Sequence, residues 1–162
     1  MTVIRRRSLI AVVAGAVALA LALTGCGLVE SITGPKPLPK ACDVLSEAEV
    51  SKIAGEDVSV SEDKVRHACQ WKGDTIVAWL VLSRAEVEGF DGSKQEEIDK
   101  HGESVVIKGL GDDAYHRSEA EESVWIKVLS GDLVLGTTAQ RKGPRADRSV
   151  AEALARAALK QL

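Results

Sequence analysis

The sequence has few aromatic residues: three Trp, one Tyr and one Phe, together 3% of its 162 residues. It also has no excess of positive charge, because 24 Asp and Glu outnumber 21 Lys and Arg and the formal net charge is −3. Domains that bind nucleic acid usually carry a basic patch, so this composition argues against nucleic acid as a partner. The shortage of aromatic residues also argues against a stacking platform for bases or sugars.

Patterns typical of common catalytic and metal sites are missing as well. No serine lies in a Gly-x-Ser-x-Gly motif. His67, His101 and His116 are scattered, without the spacing of zinc ligands. The pair Gly109-x-Gly111 lacks the third glycine of a dinucleotide-binding loop, and the acids after it would repel phosphate. We therefore expect no cofactor, no metal and no catalytic residue, and we do not expect an enzyme.

The N-terminus begins with charged residues and continues with apolar ones. Arginines at positions 5–7 precede an apolar run over residues 9–23, which is the order found in secretory signals. The next stretch, Leu23-Thr24-Gly25-Cys26, resembles a bacterial lipobox. The resemblance implies diacylglycerol on the Cys26 sulfur and cleavage before Cys26. An uncleaved transmembrane helix is the alternative, because about 20 apolar residues can span a bilayer.

We therefore predict a lipoprotein signal peptide over residues 1–25. The mature protein would be held by its lipid on the extracytoplasmic face of the cell membrane, so the membrane is the first expected partner.

Three cysteines make an odd count. If Cys26 carries lipid, Cys42 and Cys69 remain, and outside the cytoplasm such a pair stays oxidised. We predict a Cys42–Cys69 disulfide, whose loop of about 28 residues would stabilise the fold by about 3–4 kcal/mol. A redox pair or metal site would need closer spacing, such as Cys-x-x-Cys, or more ligands.

A proline-rich segment follows the lipobox. Pro35, Pro37 and Pro39 alternate, which favours extended polyproline II structure, so residues 26–41 are predicted to be a tether. A PxxP recognition ligand is the alternative. Residues 42–162 then suffice for one extracytoplasmic domain.

Helix and strand signals alternate through this domain. A capping box of Ser46 and Glu49 predicts a helix near 46–54, and weaker copies at Ser93 and Ser149 predict helices near 93–100 and 148–161. Strands are expected at 67–72, 75–83 and 104–108, with a hairpin of arms 123–129 and 133–139. The apolar strand 75–83 is expected to be covered on both faces. This order predicts an α+β fold, a mainly antiparallel sheet packed with helices.

Several motifs occur in an order that resembles a family of secreted actinobacterial lipoproteins of unknown function. They are Cys42-Asp43-Val44-Leu45, Cys69-Gln70-Trp71 and Gly109-Leu110-Gly111-Asp112-Asp113-Ala114-Tyr115. The likeness covers the whole of 42–162 and implies a cell-envelope setting and a disulfide, but no reaction. At the level of fold the chain is similar to the PsbP/Mog1-like α/β/α sandwich.

The stretch 109–116 holds the candidate ligand-binding residues Asp112, Asp113, Tyr115 and His116. Two carboxylates are too few for Ca²⁺, which takes six to eight oxygens. The alternative is a glycine turn into a short strand, with Tyr115 packed and one aspartate bonding turn amides.

We expect a non-catalytic module that binds an unknown envelope protein or a small apolar ligand. An envelope hydrolase using Asp112, Asp113 and His116 is one alternative, provided that these groups converge in a cleft. A structural or sensory accessory subunit is another. Trp71 and Trp79 are expected to pack together in the core, and Trp125 to lie under a helix or on a binding surface.

Overall fold

The structure is a computed structural model that describes residues 36–63, 67–119, 123–142 and 147–162. The described residues form one six-stranded antiparallel sheet with helices packed on it, so the fold class is α+β, as predicted. Cys26 and the predicted signal peptide lie outside these residues. None of the helices within the described ranges is long and apolar enough to cross a membrane.

Strands and helices follow one another along the chain in a mixed order. The strands are β1 Ser59–Asp63, β2 Ala68–Lys72, β3 Ile76–Arg84, β4 Asp113–Glu119, β5 Ser123–Ser130 and β6 Leu133–Arg141. The helices are α1 Ala41–Val44, α2 Glu47–Ala54, α3 Ala85–Glu88, α4 Phe90–His101 and α5 Arg148–Leu159, with a 3₁₀ turn at Glu103–Val105. In the sheet the order is β1-β2-β3-β6-β5-β4, so β6 lies between β3 and β5.

The helix ends follow local sequence signals. The predicted capping box forms at α2, where Ser46 Oγ accepts from the Glu49 amide and Glu49 accepts from the Ser46 amide. Gly55 ends this helix in the left-handed conformation, with φ +77°. The predicted cap Ser149 is wrong for α5, because Asp147 accepts from the Val150 amide at 3.1 Å and begins the helix.

The main core lies between one face of the sheet and the helices α1, α2 and α5. Leu80, Ile126 and Leu135 of the sheet pack in one cluster with Leu154 of α5, and each is at most 1% exposed. Burying each of these side chains contributes roughly 1.5–3 kcal/mol to folding. We call this side of the sheet the core face.

Cys42 and Cys69 form the predicted disulfide, with their Cα atoms 4.9 Å apart. The bond joins α1, a helix of four residues, to β2. A helix this short is not stable alone, so its position depends on the disulfide and on its buried residues Ala41 and Val44.

Two strand predictions need correction. Residues 104–108 form no strand: Glu103–Val105 is a 3₁₀ turn, and the only pairing is one bridge from Val106 to Tyr115. Val105 and Ile107 are both buried. The alternation of apolar residues that suggested a strand therefore arises because irregular backbone directs these two side chains inward.

The strand β3 is not covered equally on both faces. Its burial alternates, with Ile76, Ala78, Leu80 and Leu82 buried and the residues between them half-buried. The reason is that α1, α2 and α5 pack on the core face alone. On the opposite face, α3 and α4 bring only Phe90 and Ala85 into a small cluster with Tyr115, Val134 and Leu129.

The end of the predicted tether lies against the domain. The Lys36 carbonyl accepts a hydrogen bond from Arg84, which also pairs with Asp132 in the β5–β6 turn. Pro37 and Pro39 line a shallow groove beside this pair. The remainder of the tether lies outside the described residues.

Candidate functional site

The two aspartates of the predicted loop site make structural contacts. Asp112 Oδ2 accepts a hydrogen bond from the Gly131 amide at 2.6 Å, and the Asp112 amide donates to the Leu129 carbonyl at 2.9 Å. Asp113 pairs with Lys94 Nζ at 2.6 Å. Asp112 therefore fastens the β5–β6 turn to the start of β4, which agrees with the alternative that this stretch is a turn.

Tyr115 and His116 are consecutive on β4, so they point to opposite faces of the sheet. Tyr115 is 1% exposed and meets Phe90 edge-on, with 5.2 Å between ring centroids, and burial raises the pKa of its hydroxyl. His116 lies on the core-face side. Burial and the nearby Arg148 lower the pKa of its imidazole, which is therefore neutral at neutral pH.

The four candidate residues do not share one cleft. Asp112 binds a turn, Asp113 binds Lys94, and Tyr115 and His116 point in opposite directions. Within the described residues, no group of three or more His, Cys, Asp or Glu side chains could hold a metal ion. This arrangement offers no acid and base pair around a common substrate position.

A different set of side chains comes together on the sheet face opposite the core. Trp79 of β3, Thr138 of β6 and Trp125 of β5 lie side by side in one row across three strands, as the pairing register dictates. Strands are about 4.8 Å apart, so the Cα atoms of the two tryptophans are about 10 Å apart, with Thr138 between them. Both indoles are half-buried.

Two open depressions meet at Trp125, and together we call them the tryptophan groove. One has a volume of about 220 Å³ and is lined by Trp79, Ser123, Trp125, Thr138 and Gln140. The other has a volume of about 430 Å³ and is lined by Val81, Leu82, Ser83, Glu88, Arg117, Trp125 and Lys127.

Gly136 makes room for the indole of Trp125. A Cβ atom at position 136 would lie 3.5 Å from Cε3 and 3.6 Å from Cζ3 of Trp125, so the six-membered ring packs against this stretch of β6. A methyl group there would make ordinary contact, whereas a larger side chain would displace the ring. The absence of a side chain at Gly136 therefore lets Trp125 lean over the neighbouring strand.

The floor of the groove contains an unsatisfied hydroxyl. Thr138 is 2% exposed, and its Oγ1 is buried without a hydrogen-bond partner among the described residues. Most buried polar atoms in proteins have a partner, so this one needs an explanation. Gln140, at the rim two residues further along β6, adds an amide that can donate and accept.

The opposite end of the groove carries balanced charges. Lys127 Nζ lies 3.2 Å from Glu88 Oε2, and Arg117 Nε lies 3.7 Å from Glu97 Oε1. Burial alone would raise the pKa of Glu88, but the charge and hydrogen bond of Lys127 and a hydrogen bond from Ser83 together outweigh it, so the pKa is lowered. Lys127 Nζ is also 6.0 Å from the centre of the Trp125 ring, at the outer range of a cation–π contact.

Sequence reasoning missed this groove. Trp71 and Trp79 were expected to pack together. In the sheet Trp71 is paired with Ala78, and Trp79 is paired with Gln70, so the two indoles lie on opposite sides of the sheet. Trp71 is fully buried in the core beside the disulfide. The alternation of Trp125 with Val124 and Ile126 was the one usable signal, because it placed Trp125 away from the core.

Comparison with protein-family models, curated proteins and solved structures gives no match for this chain. The resemblance to actinobacterial lipoproteins and to the PsbP/Mog1-like sandwich therefore stays a prediction from the sequence. The groove and the N-terminal sequence are the two features that indicate a function.

Proposed function

We propose that this protein is a lipid-anchored, extracytoplasmic binding module of the cell envelope, without catalytic activity, and that the tryptophan groove is its binding site. The single observation that carries the binding role is the pair of half-buried indoles, Trp79 and Trp125, flanking the unsatisfied Thr138 hydroxyl. Large aromatic side chains left partly exposed in a concave site are typical of binding surfaces.

The groove has the features of a binding site rather than those of a reaction centre. Its titratable groups, Glu88, Lys127 and Arg117, each lie in an ion pair: Lys127 is 3.2 Å from Glu88, and Arg117 is 3.7 Å from Glu97. An acid or base catalyst needs a pKa near the working pH, whereas the pairing lowers the pKa of Glu88.

The anchoring part of the proposal depends on residues 1–26. The order of arginines, apolar run and Leu23-Thr24-Gly25-Cys26 supports it. Replacing Cys26 with Ser should leave full-length precursor in the producing cell, because no thiol is left to carry lipid. Thr24→Ala is the matched control, since it keeps a small residue at that place and should be processed normally. Normal processing and membrane retention of the Cys26→Ser protein would contradict the anchor.

The binding part is tested by native mass spectrometry of the lipidated chain extracted from its own envelope. A discrete extra mass should survive gentle ionisation and disappear on unfolding. The Trp125→Ala variant should lose this mass, because the indole lines both depressions of the groove. Val60→Ala should keep it, since Val60 is an exposed apolar residue on an edge strand elsewhere. A wild-type protein without any bound mass would contradict the proposal, and so would a bound mass that the Trp125→Ala variant retains.

A further inference from the structure

We infer that the ligand of the tryptophan groove is an uncharged oligosaccharide, with a sugar ring stacked on an indole and a hydroxyl bonded to Thr138. This inference rests on the proposed function, because it names the ligand class of the same site. Three features of the groove support it: the two indoles in one row of the sheet, the unsatisfied hydroxyl and the balance of charge.

The indoles offer flat apolar surfaces of the size of a pyranose ring. The Cα atoms of Trp79 and Trp125 are about 10 Å apart across β6, and the residue between them is the small Thr138. The C–H groups on one side of a pyranose form an apolar face that stacks on an aromatic ring. The low total of aromatic residues argued against such a platform, but the sheet brings two of the three tryptophans to the same row.

The hydrogen-bonding groups of Thr138 and Gln140 are complementary to a ligand with hydroxyl groups. The buried Thr138 Oγ1 has no partner in the described part of the chain and almost no exposed surface, so a sugar hydroxyl reaches it only when a flanking indole turns aside. A hydrogen bond made there satisfies a group that has none, and the ligand gains more than it would on an already satisfied surface. Gln140 both donates and accepts, as sugar hydroxyls do. A hydrocarbon chain would leave both side chains unsatisfied.

The charges of the groove favour an uncharged ligand. Lys127 is balanced by Glu88, and Arg117 by Glu97. A phosphate or carboxylate on the ligand would have to compete with these carboxylates for the same cations. The formal net charge of −3 for the whole chain also opposes a polyanion.

The shape of the groove suits a chain of sugars. The two depressions, of about 220 and 430 Å³, share Trp125 in their lining, and both are open to solvent. More than one ring can therefore lie along the sheet, and an oligosaccharide can continue past either end. A lipid would instead need an enclosed apolar cavity, and four of the seven residues that line the larger depression are polar or charged.

The test is binding by the full chain, purified in a detergent that has no sugar headgroup. The probes are four uncharged tetrasaccharides (cellotetraose, maltotetraose, mannotetraose and fully N-acetylated chitotetraose), with hyaluronan tetrasaccharide and lauric acid as charged and apolar comparators. Titration calorimetry gives the affinity, and tryptophan fluorescence reports on the indoles. At least one uncharged probe should bind, and the comparators should not.

Matched variants locate the binding. Trp79→Ala and Trp125→Ala should each weaken binding about tenfold or more, the size of effect seen when a stacking aromatic is removed. Thr138→Val keeps the branched shape and removes only the hydroxyl. It should weaken binding about three- to tenfold and at the same time raise the melting temperature, because an unsatisfied buried hydroxyl is lost. Val60→Ala should change neither quantity.

Each outcome bears on a distinct claim. Failure of all four uncharged probes overturns the inference, and so does binding of hyaluronan tetrasaccharide or lauric acid alone. In those cases the proposed function still stands if native mass spectrometry finds a ligand that Trp125→Ala removes, including a protein partner. Sugar binding that is unchanged in Trp79→Ala, Trp125→Ala and Thr138→Val also overturns it.

Discussion

The disulfide allows the most quantitative prediction. Replacing Cys42 and Cys69 together with Ala opens a loop with a sequence separation of 27. In the chain-entropy model this loop length corresponds to about 12 cal/mol/K, which is about 3.6 kcal/mol at 25 °C. For a domain of this size a loss of that magnitude lowers the melting temperature by about 10–15 °C.

Part of the effect of the double variant comes from packing, because Cys69 is 0% exposed and its sulfur contacts the core. Chemical reduction of the wild type separates the two contributions, since it breaks the bond but keeps both sulfur atoms. We expect the reduced wild type to lose about 3–4 kcal/mol of unfolding free energy and the double variant slightly more.

Urea unfolding at equilibrium, followed by circular dichroism, measures these losses. The slope with urea should rise when the bond is absent, because the unfolded chain then exposes more surface. A reduced protein within about 1 kcal/mol of the oxidised one would refute the reasoning, since the entropy of a loop this long predicts several times more. It would mean that the reduced, unfolded chain already keeps the two cysteines close together, so that the bond removes little further entropy.

Two further predictions concern turns around the sheet. Gly111→Ala should destabilise the fold far more than Gly109→Ala: both have positive φ, but only at 111 would a Cβ meet a carbonyl oxygen, at 2.5 Å. Equal decreases in melting temperature for the two variants would show that the positive φ, and not the close contact at position 111, determines the loss of stability. The Glu56 carboxylate accepts from the Thr75 hydroxyl and from the amides of Thr75 and Ile76, which lowers its pKa. Its stabilisation is therefore present above the unfolded pKa and lost as pH falls through the folded one. Glu56→Gln should lower stability at neutral pH, and the difference from wild type should vanish in acid; a difference independent of pH would argue against this role.

Local signals in the sequence were sufficient where neighbouring residues decide the structure. The capping box at Ser46 and the turn at Gly131-Asp132 formed as predicted, because their hydrogen bonds join residues a few positions apart. The pairing of Cys42 with Cys69 was also confirmed. The misplaced cap at Ser149 shows the limit of such signals, since Asp147 offered a better acceptor two residues earlier.

The candidate site could not be predicted from local sequence, because its residues come from separate segments that only the folded chain brings together. Asp112, Asp113, Tyr115 and His116 are neighbours in the sequence, but strand geometry and turn contacts send them to different places. Trp79 and Trp125 are far apart in the sequence. In the sheet they lie on either side of β6, because β6 is inserted between β3 and β5.

By itself, then, the sequence determined the α+β class, the helix starts near Ser46, the hairpin and the disulfide, because local hydrogen bonding and cysteine count set these features. Only the tertiary structure decided which face each tryptophan occupies. Side chains alternate along a strand, so a shift of one residue in register would move an indole from the groove to the core. The register that pairs Gln70 with Trp79, and Thr138 with both Trp79 and Trp125, is set by the packing of the whole sheet on α1, α2 and α5.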